Sequence, residues 1–143
     1  MEDNIVFSKI WQDDCLIELR ATCTSSVASV ISSIYVSDYS IDELICKIKH
    51  FLYSKDRDEV SLWESGGRGD GTVACVSLRF LKKDALGHIT VEVFAEIDDG
   101  GSYSEHNCCF FVNTEYGLLL NFCDRLVQLK ERPVGYEIQL NYS

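Results

Sequence analysis

Four short stretches carry the residue types from which a chemical site could be built. The first is "HNCCF", with His106, Cys108 and Cys109. Such side chains could ligate zinc or act as a nucleophile and its base. Zinc sites, however, space their ligands as paired Cys-x-x-Cys or His-x-x-x-His units, and neither spacing occurs here. In a strand, Cys108 and Cys109 point to opposite faces and cannot chelate together. The second is "DALGHITV", where His88 follows a glycine turn. A lone titratable ring, with no carboxylate or serine placed beside it by a motif, does not make an active site. The third, "EIDDGGSYSE", gathers Asp98, Asp99 and Glu105 around two glycines. It lacks the fixed offsets of a calcium-binding EF-hand and reads as an acidic hairpin tip. The fourth, "WESGGRGDGTV", packs four glycines between Gly66 and Gly71. A phosphate loop would need a following Lys-Ser/Thr and a helix. Strands flank this stretch on both sides, so a hairpin turn over Asp70-Gly71 is expected. The Arg68-Gly69-Asp70 tripeptide matches adhesion ligands, which are extracellular. No catalytic residue, metal site or cofactor is predicted from any of these stretches.

Charge says more. The 143 residues hold 23 acids against 13 bases, a net charge of −10. From Asp84 to Asp124 there is no lysine or arginine, while Asp84, Glu92, Glu96, Asp98, Asp99, Glu105, Glu115 and Asp124 all fall within that stretch. Such a one-sign field repels nucleic acid and anionic membrane and attracts basic proteins. Basic residues interleaved with aromatics, which nucleic-acid binding needs, are absent. No apolar run approaches the roughly 20 residues of a membrane helix. The N-terminus "MEDNIVF" opens with acids rather than the basic start of a secretory signal, which points to a cytoplasmic protein. The seven cysteines, an odd number, make a poor disulfide framework and read as reduced thiols, most of them in the core.

The elements that must position these residues follow from periodicity. A period of two dominates, the mark of strands. In "CLIELRATC", Cys15, Ile17, Leu19, Ala21 and Cys23 share one face. "NIVFSKIW" is its hairpin partner across Gln12, Asp13 and Asp14, and "VASVISSIYV" is a third strand. "SIDELICKIKHFLYSK" then changes to the helical period, with Ile41, Leu44, Ile45, Ile48, Phe51 and Leu52 on one stripe. Ser40 and Glu43 form a capping box, with Tyr39 and Leu44 as a hydrophobic staple. Strands resume in "EVSLWES", "TVACVSLRFL", "HITVEVFAEI" and "NCCFFVN". A second helix starts from a cap at Asn113 or Thr114, carries Leu119, Phe122, Leu126 and Leu129, and stops at Pro133; "GYEIQLNY" is a last strand. Trp11 and Trp63 are expected to pack. There is no internal sequence repeat. The fold class is therefore α+β in one domain, 1–143: curved antiparallel sheet with two covering helices.

The run from "VSLWES" through "LGHITVEVFAEI" to "TEYGLLLNFCDRL" resembles a family of small bacterial domains with a tryptophan strand, a Gly-His-aliphatic strand and a final amphipathic helix in this order. In size, acidity and element order the chain also resembles immunity proteins of bacterial contact-dependent growth inhibition systems. That resemblance implies a Whirly-like fold and a toxin domain, often a nuclease, as partner; the closing "GYEIQLNY" departs from the plan as an extra strand. The function expected is neutralisation of a basic toxin through an acidic surface of Glu92, Glu96, Asp98, Asp99 and Glu105. The alternative is a small α+β enzyme or ligand-binding domain whose chemistry would rest on His88, His106 and the cysteines.

Overall fold

The computed structural model describes residues 2–65, 75–97 and 106–141. Their elements run β1 (Asn4–Gln12), β2 (Ile17–Thr24), β3 (Ser29–Val36), α1 (Asp38–Tyr53), β4 (Val60–Glu64), β5 (Val76–Lys82), β6 (His88–Ile97), β7 (His106–Glu115), α2 (Tyr116–Glu131) and β8 (Glu137–Gln139). The protein is α+β. Two antiparallel four-stranded sheets, ordered β3-β2-β1-β8 and β4-β5-β6-β7, accompany the two helices. Among the described residues, no helix is long and apolar enough to cross a membrane.

The two halves share one plan that the sequence does not announce. Strands β4 to β7 form a meander that leads into α2. Strands β1 to β3 form a shorter meander that leads into α1, and β8 returns from the C-terminal side to complete its sheet. Phe7 pairs with Ile138 and Ser8 with Glu137. The strand in "GYEIQLNY" is therefore not surplus; it fills the fourth position of the first sheet.

Local chemistry sets the connections. The Asp13 carboxylate accepts from the backbone of Cys15 and Leu16, closing the β1–β2 turn. The Ser25 hydroxyl does the same for Val27 and Ala28 between β2 and β3. Helix α1 starts one turn earlier than the capping box predicts. Ser37, not Ser40, is the N-cap: its backbone is extended and its hydroxyl accepts from the Ser40 amide at 3.1 Å. Tyr39 is 75% exposed and makes no staple. Asn113 and Thr114 do not cap α2, because both still belong to β7, paired with Thr90 and Ile89. Glu115 is the N-cap there, without a side-chain cap bond.

One hydrophobic core joins all the layers. The buried stripe of α1 is the predicted one, and that of α2 is the predicted one with Cys123 added. The helices cover the sheets crosswise. Phe51 of α1 packs on Phe80 of β5, with ring centroids 6.1 Å apart. Phe122 of α2 packs on Phe7 of β1 at 5.8 Å. Trp63 is buried, and its indole N–H donates to the Ser40 carbonyl at 3.1 Å, tying β4 to the first turn of α1.

Trp11 behaves otherwise. The β1–β2 register slips by one residue between Lys9 and Trp11, a bulge that reverses inward and outward positions beyond it. Lys9 keeps the inward position of Ile5 and Phe7, while Trp11 turns out, is 43% exposed, and meets Tyr35 edge-on at 6.5 Å. The expectation that Trp11 packs in the core fails at this bulge. Lys9 is fully buried, and its ammonium donates to the carbonyls of Lys130 (3.2 Å) and Arg132 (2.7 Å) and to Gln12 Oε1 (2.9 Å).

Burial also marks the thiols. It pushes Cys23 and Cys123 from the ordinary 9.0 up to about 12. Between those values the unfolded chain loses thiol protons that the folded chain keeps, so stability is expected to fall as pH rises from 9.0 towards 12. Burial shifts Lys9 the other way, below 10.5, and its unfolded form then holds the extra proton, partly offsetting the fall. Thermal unfolding across this window should show a declining midpoint for the wild type and a flatter profile for the Cys23→Ala/Cys123→Ala variant. Identical slopes would contradict the assignment.

Candidate functional site

The acidic residues predicted to bind a partner belong to the second sheet and its β6–β7 connection. Register places four side chains in one row across the outer face of this sheet: Leu62 on β4, Arg79 on β5, Glu92 on β6 and Phe111 on β7. Phe94 and Cys109 form part of the next row. Alternation drives Val91, Val93 and Ala95 into the core and leaves this opposite face to solvent. Phe111 is 53% and Leu62 39% exposed, so the row presents apolar surface on both sides of a charged pair.

Two electrostatic expectations need correction. Glu92 is not an uncompensated carboxylate. Arg79, which precedes the base-free stretch in sequence, lies opposite it across the sheet; its Nε and Nη2 reach Glu92 Oε2 at 2.7 and 2.5 Å. This double contact on a half-buried carboxylate holds it in place. Glu92 Oε1 also accepts from the Cys109 thiol at 3.5 Å. Glu96 shares Glu92's alternation, which by itself predicts exposure, yet it is buried at 5% exposure, as is Ser77 at 2%. Strand alternation assigns a face, but it does not say whether that face is covered, and near Ser77 and Glu96 the outer face is closed to solvent. Asp98, Asp99 and Glu105 lie outside the described residues, as does the Gly66–Gly71 loop. The strands that flank both connections pair antiparallel, β4 with β5 and β6 with β7.

The thiols divide differently from the prediction. Cys23, Cys75 and Cys123 are buried, whereas Cys15, Cys46 and Cys109 are exposed and Cys108 is intermediate. Cys15 leaves the face of Ile17 and Leu19 because β2 begins only at Ile17 and Cys15 sits in the Asp13 turn. Cys108 and Cys109 occupy opposite faces, the former packed against the core. His106 opens β7 and is exposed.

His88 does have a carboxylate beside it. Asp84 Oδ2 lies 2.6 Å from His88 Nδ1, while Asp84 Oδ1 accepts from the amides of Leu86 (2.8 Å) and His88 (3.2 Å). The histidine contact, with these amides, holds the Asp84 carboxyl below the ordinary range. Gly87, at φ +90°, completes the turn and accepts from the Tyr116 amide at 2.8 Å. This turn walls one side of a cavity of about 350 Å³, which Lys55, Arg57 and Lys82 also line. Sequence reasoning missed it because its residues come from three separate segments. In the sequence Lys55 and Arg57 alternate with Asp56 and Asp58, so no basic run marks the cavity.

The protein is thus an α+β fold of two four-stranded antiparallel sheets and two helices, with the outer face of the second sheet open around Leu62 and Phe111 and closed near Ser77 and Glu96, and a cavity lined by Lys55, Arg57 and Lys82 at one end of it. No family model matches the chain, and neither a curated protein nor a solved structure matches it.

Proposed function

We propose that this chain is a toxin-neutralising immunity protein that binds a basic toxin domain through the outer face of its second sheet. The carrying observation is the row Leu62–Arg79–Glu92–Phe111, where exposed apolar side chains flank a charged pair in a chain of net charge −10. Interfaces draw their affinity from aromatic anchors in a desolvated centre and their selectivity from surrounding charge. Phe111 and Leu62 supply the apolar anchors, and Asp98, Asp99 and Glu105, in the connection from β6 to β7, supply the charge. The pairing of Glu92 with Arg79 makes Glu92 an orienting group rather than the main attractor. Binding by this face needs no catalytic residue, metal or cofactor.

The experiment is to read the frame immediately upstream for a toxin domain and to co-express this chain with it; a frame that encodes no toxin would count against this reading. Growth is expected to be restored, and the two purified proteins should co-elute as a stable complex. Undiminished toxicity in the presence of folded protein, with no complex formed, would remove this reading.

A further inference from the structure

We propose that the cavity beside His88 is a binding site for a small organic anion, with an oxyanion head of the phosphate type and an apolar body. The site lies apart from the acidic connection between β6 and β7. His88 begins β6, while the acidic connection follows its other end at Ile97. These ends are about 30 Å apart at the rise of an antiparallel strand.

In a chain of net −10, three cations, Lys55, Arg57 and Lys82, line one cavity of about 350 Å³. Among the described lining residues the one carboxylate, Asp84, is turned to its own chain, held by two backbone amides and His88. The described lining residues therefore sum to a net positive charge before His88 is counted. Lys82 has a structural task. Its ammonium donates to the carbonyls of Ser54 and Asp56 and sits 5.5 Å from the Phe51 ring centre. It thereby fixes the segment that carries Lys55 and Arg57. Among the described residues, neither Lys55 nor Arg57 is ion-paired, and both are exposed at the rim.

The remaining lining sets the ligand class. Leu52, Ala85 and Ile89 contribute apolar wall, and Tyr116 adds a ring. Tyr116 is also the first residue of α2, and its amide donates to the Gly87 carbonyl, which fixes the ring beside the His88 turn. An inorganic ion would engage the cations and leave the wall unused. A monoester with a small apolar group uses both, within the volume typical of ligand pockets.

The test is a titration of the intact protein at low salt with phenyl phosphate, benzoate and inorganic phosphate, read by backbone amide shifts. Saturable binding of phenyl phosphate is expected, with shifts centred on His88 and Tyr116. Inorganic phosphate should bind at least tenfold more weakly. The Lys55→Ala/Arg57→Ala variant, altered only at exposed positions, should lose tenfold or more. Benzoate binding as tightly as phenyl phosphate, with the same loss in the variant, would support the site and assign a carboxylate head. No saturable binding of either organic anion, shifts centred elsewhere, or affinity unchanged in the folded variant would each overturn the proposal.

Discussion

Replacing Lys9 with methionine is expected to lower the free energy of unfolding by about 3 kcal/mol, a large part of the 5–15 kcal/mol typical of a domain. Lys9 is fully buried, and its three donors meet the carbonyls of Lys130 and Arg132 and the Gln12 side chain. The carbonyls lie at the end of α2, where the last backbone acceptors lack helical partners and the dipole is negative. Methionine keeps most of the apolar stem and removes the ammonium, leaving buried acceptors without their donor, at about 1–3 kcal/mol each. Desolvation of the lost charge offsets part of this, in keeping with its lowering of the Lys9 pKa. Chemical denaturation of wild type and variant measures the difference. A variant within about 0.5 kcal/mol of wild type would show that water can replace the ammonium. The neighbouring Lys130–Asp42 pair, at 2.5 Å between α2 and α1, is more exposed and should matter far less.

The second large effect is kinetic. Reversing Asp98, Asp99 and Glu105 to lysine changes the local charge by six units in a stretch that has no base of its own from Asp84 to Asp124. If the adjoining sheet face receives a basic toxin domain, association at low salt should slow by about tenfold or more, because steering depends on the summed field. The deficit should shrink at higher salt, as screening shortens the reach of that field to about 8 Å at physiological ionic strength. Stopped-flow association at two salt concentrations gives both quantities. Equal rates in a folded variant would leave these acids a solubilising role.

Much of the fold was legible because its periodicities are long. The stripe from Ile41 to Leu52 recurs through a sixteen-residue helix, and the alternation of His88–Ile97 spans ten residues. Boundaries were harder: Ser37 and Ser40 are both good caps, and only the backbone geometry selects Ser37. The Trp11 bulge carries no glycine to announce it, so parity alone misplaces the indole. Lys9 did leave a trace, a charge in the inward series Ile5, Phe7, Lys9, but its partners arrive from residues 130 and 132. The site followed the same division. The face of Glu92 was readable from alternation, whereas its pairing with Arg79 depends on cross-strand register and the cover over Glu96 on tertiary structure. The basic cavity draws on α1, the β5–β6 turn and the start of α2, and no local pattern joins them.

The most direct test of the proposed binding face compares two exposed aromatics on different sheets. Phe111 lies on the outer face of the second sheet and Tyr35 on that of the first, at 53% and 41% exposure. Alanine at either position should leave stability nearly intact. Equilibrium affinities of the two variants for the cognate toxin domain then report which face is used. Phe111→Ala is expected to weaken binding by about 30-fold, the loss of about 2 kcal/mol typical of an interface anchor, and Tyr35→Ala by less than about threefold. A large loss at Tyr35 with none at Phe111 would place the interface on the first sheet and contradict the proposed binding face.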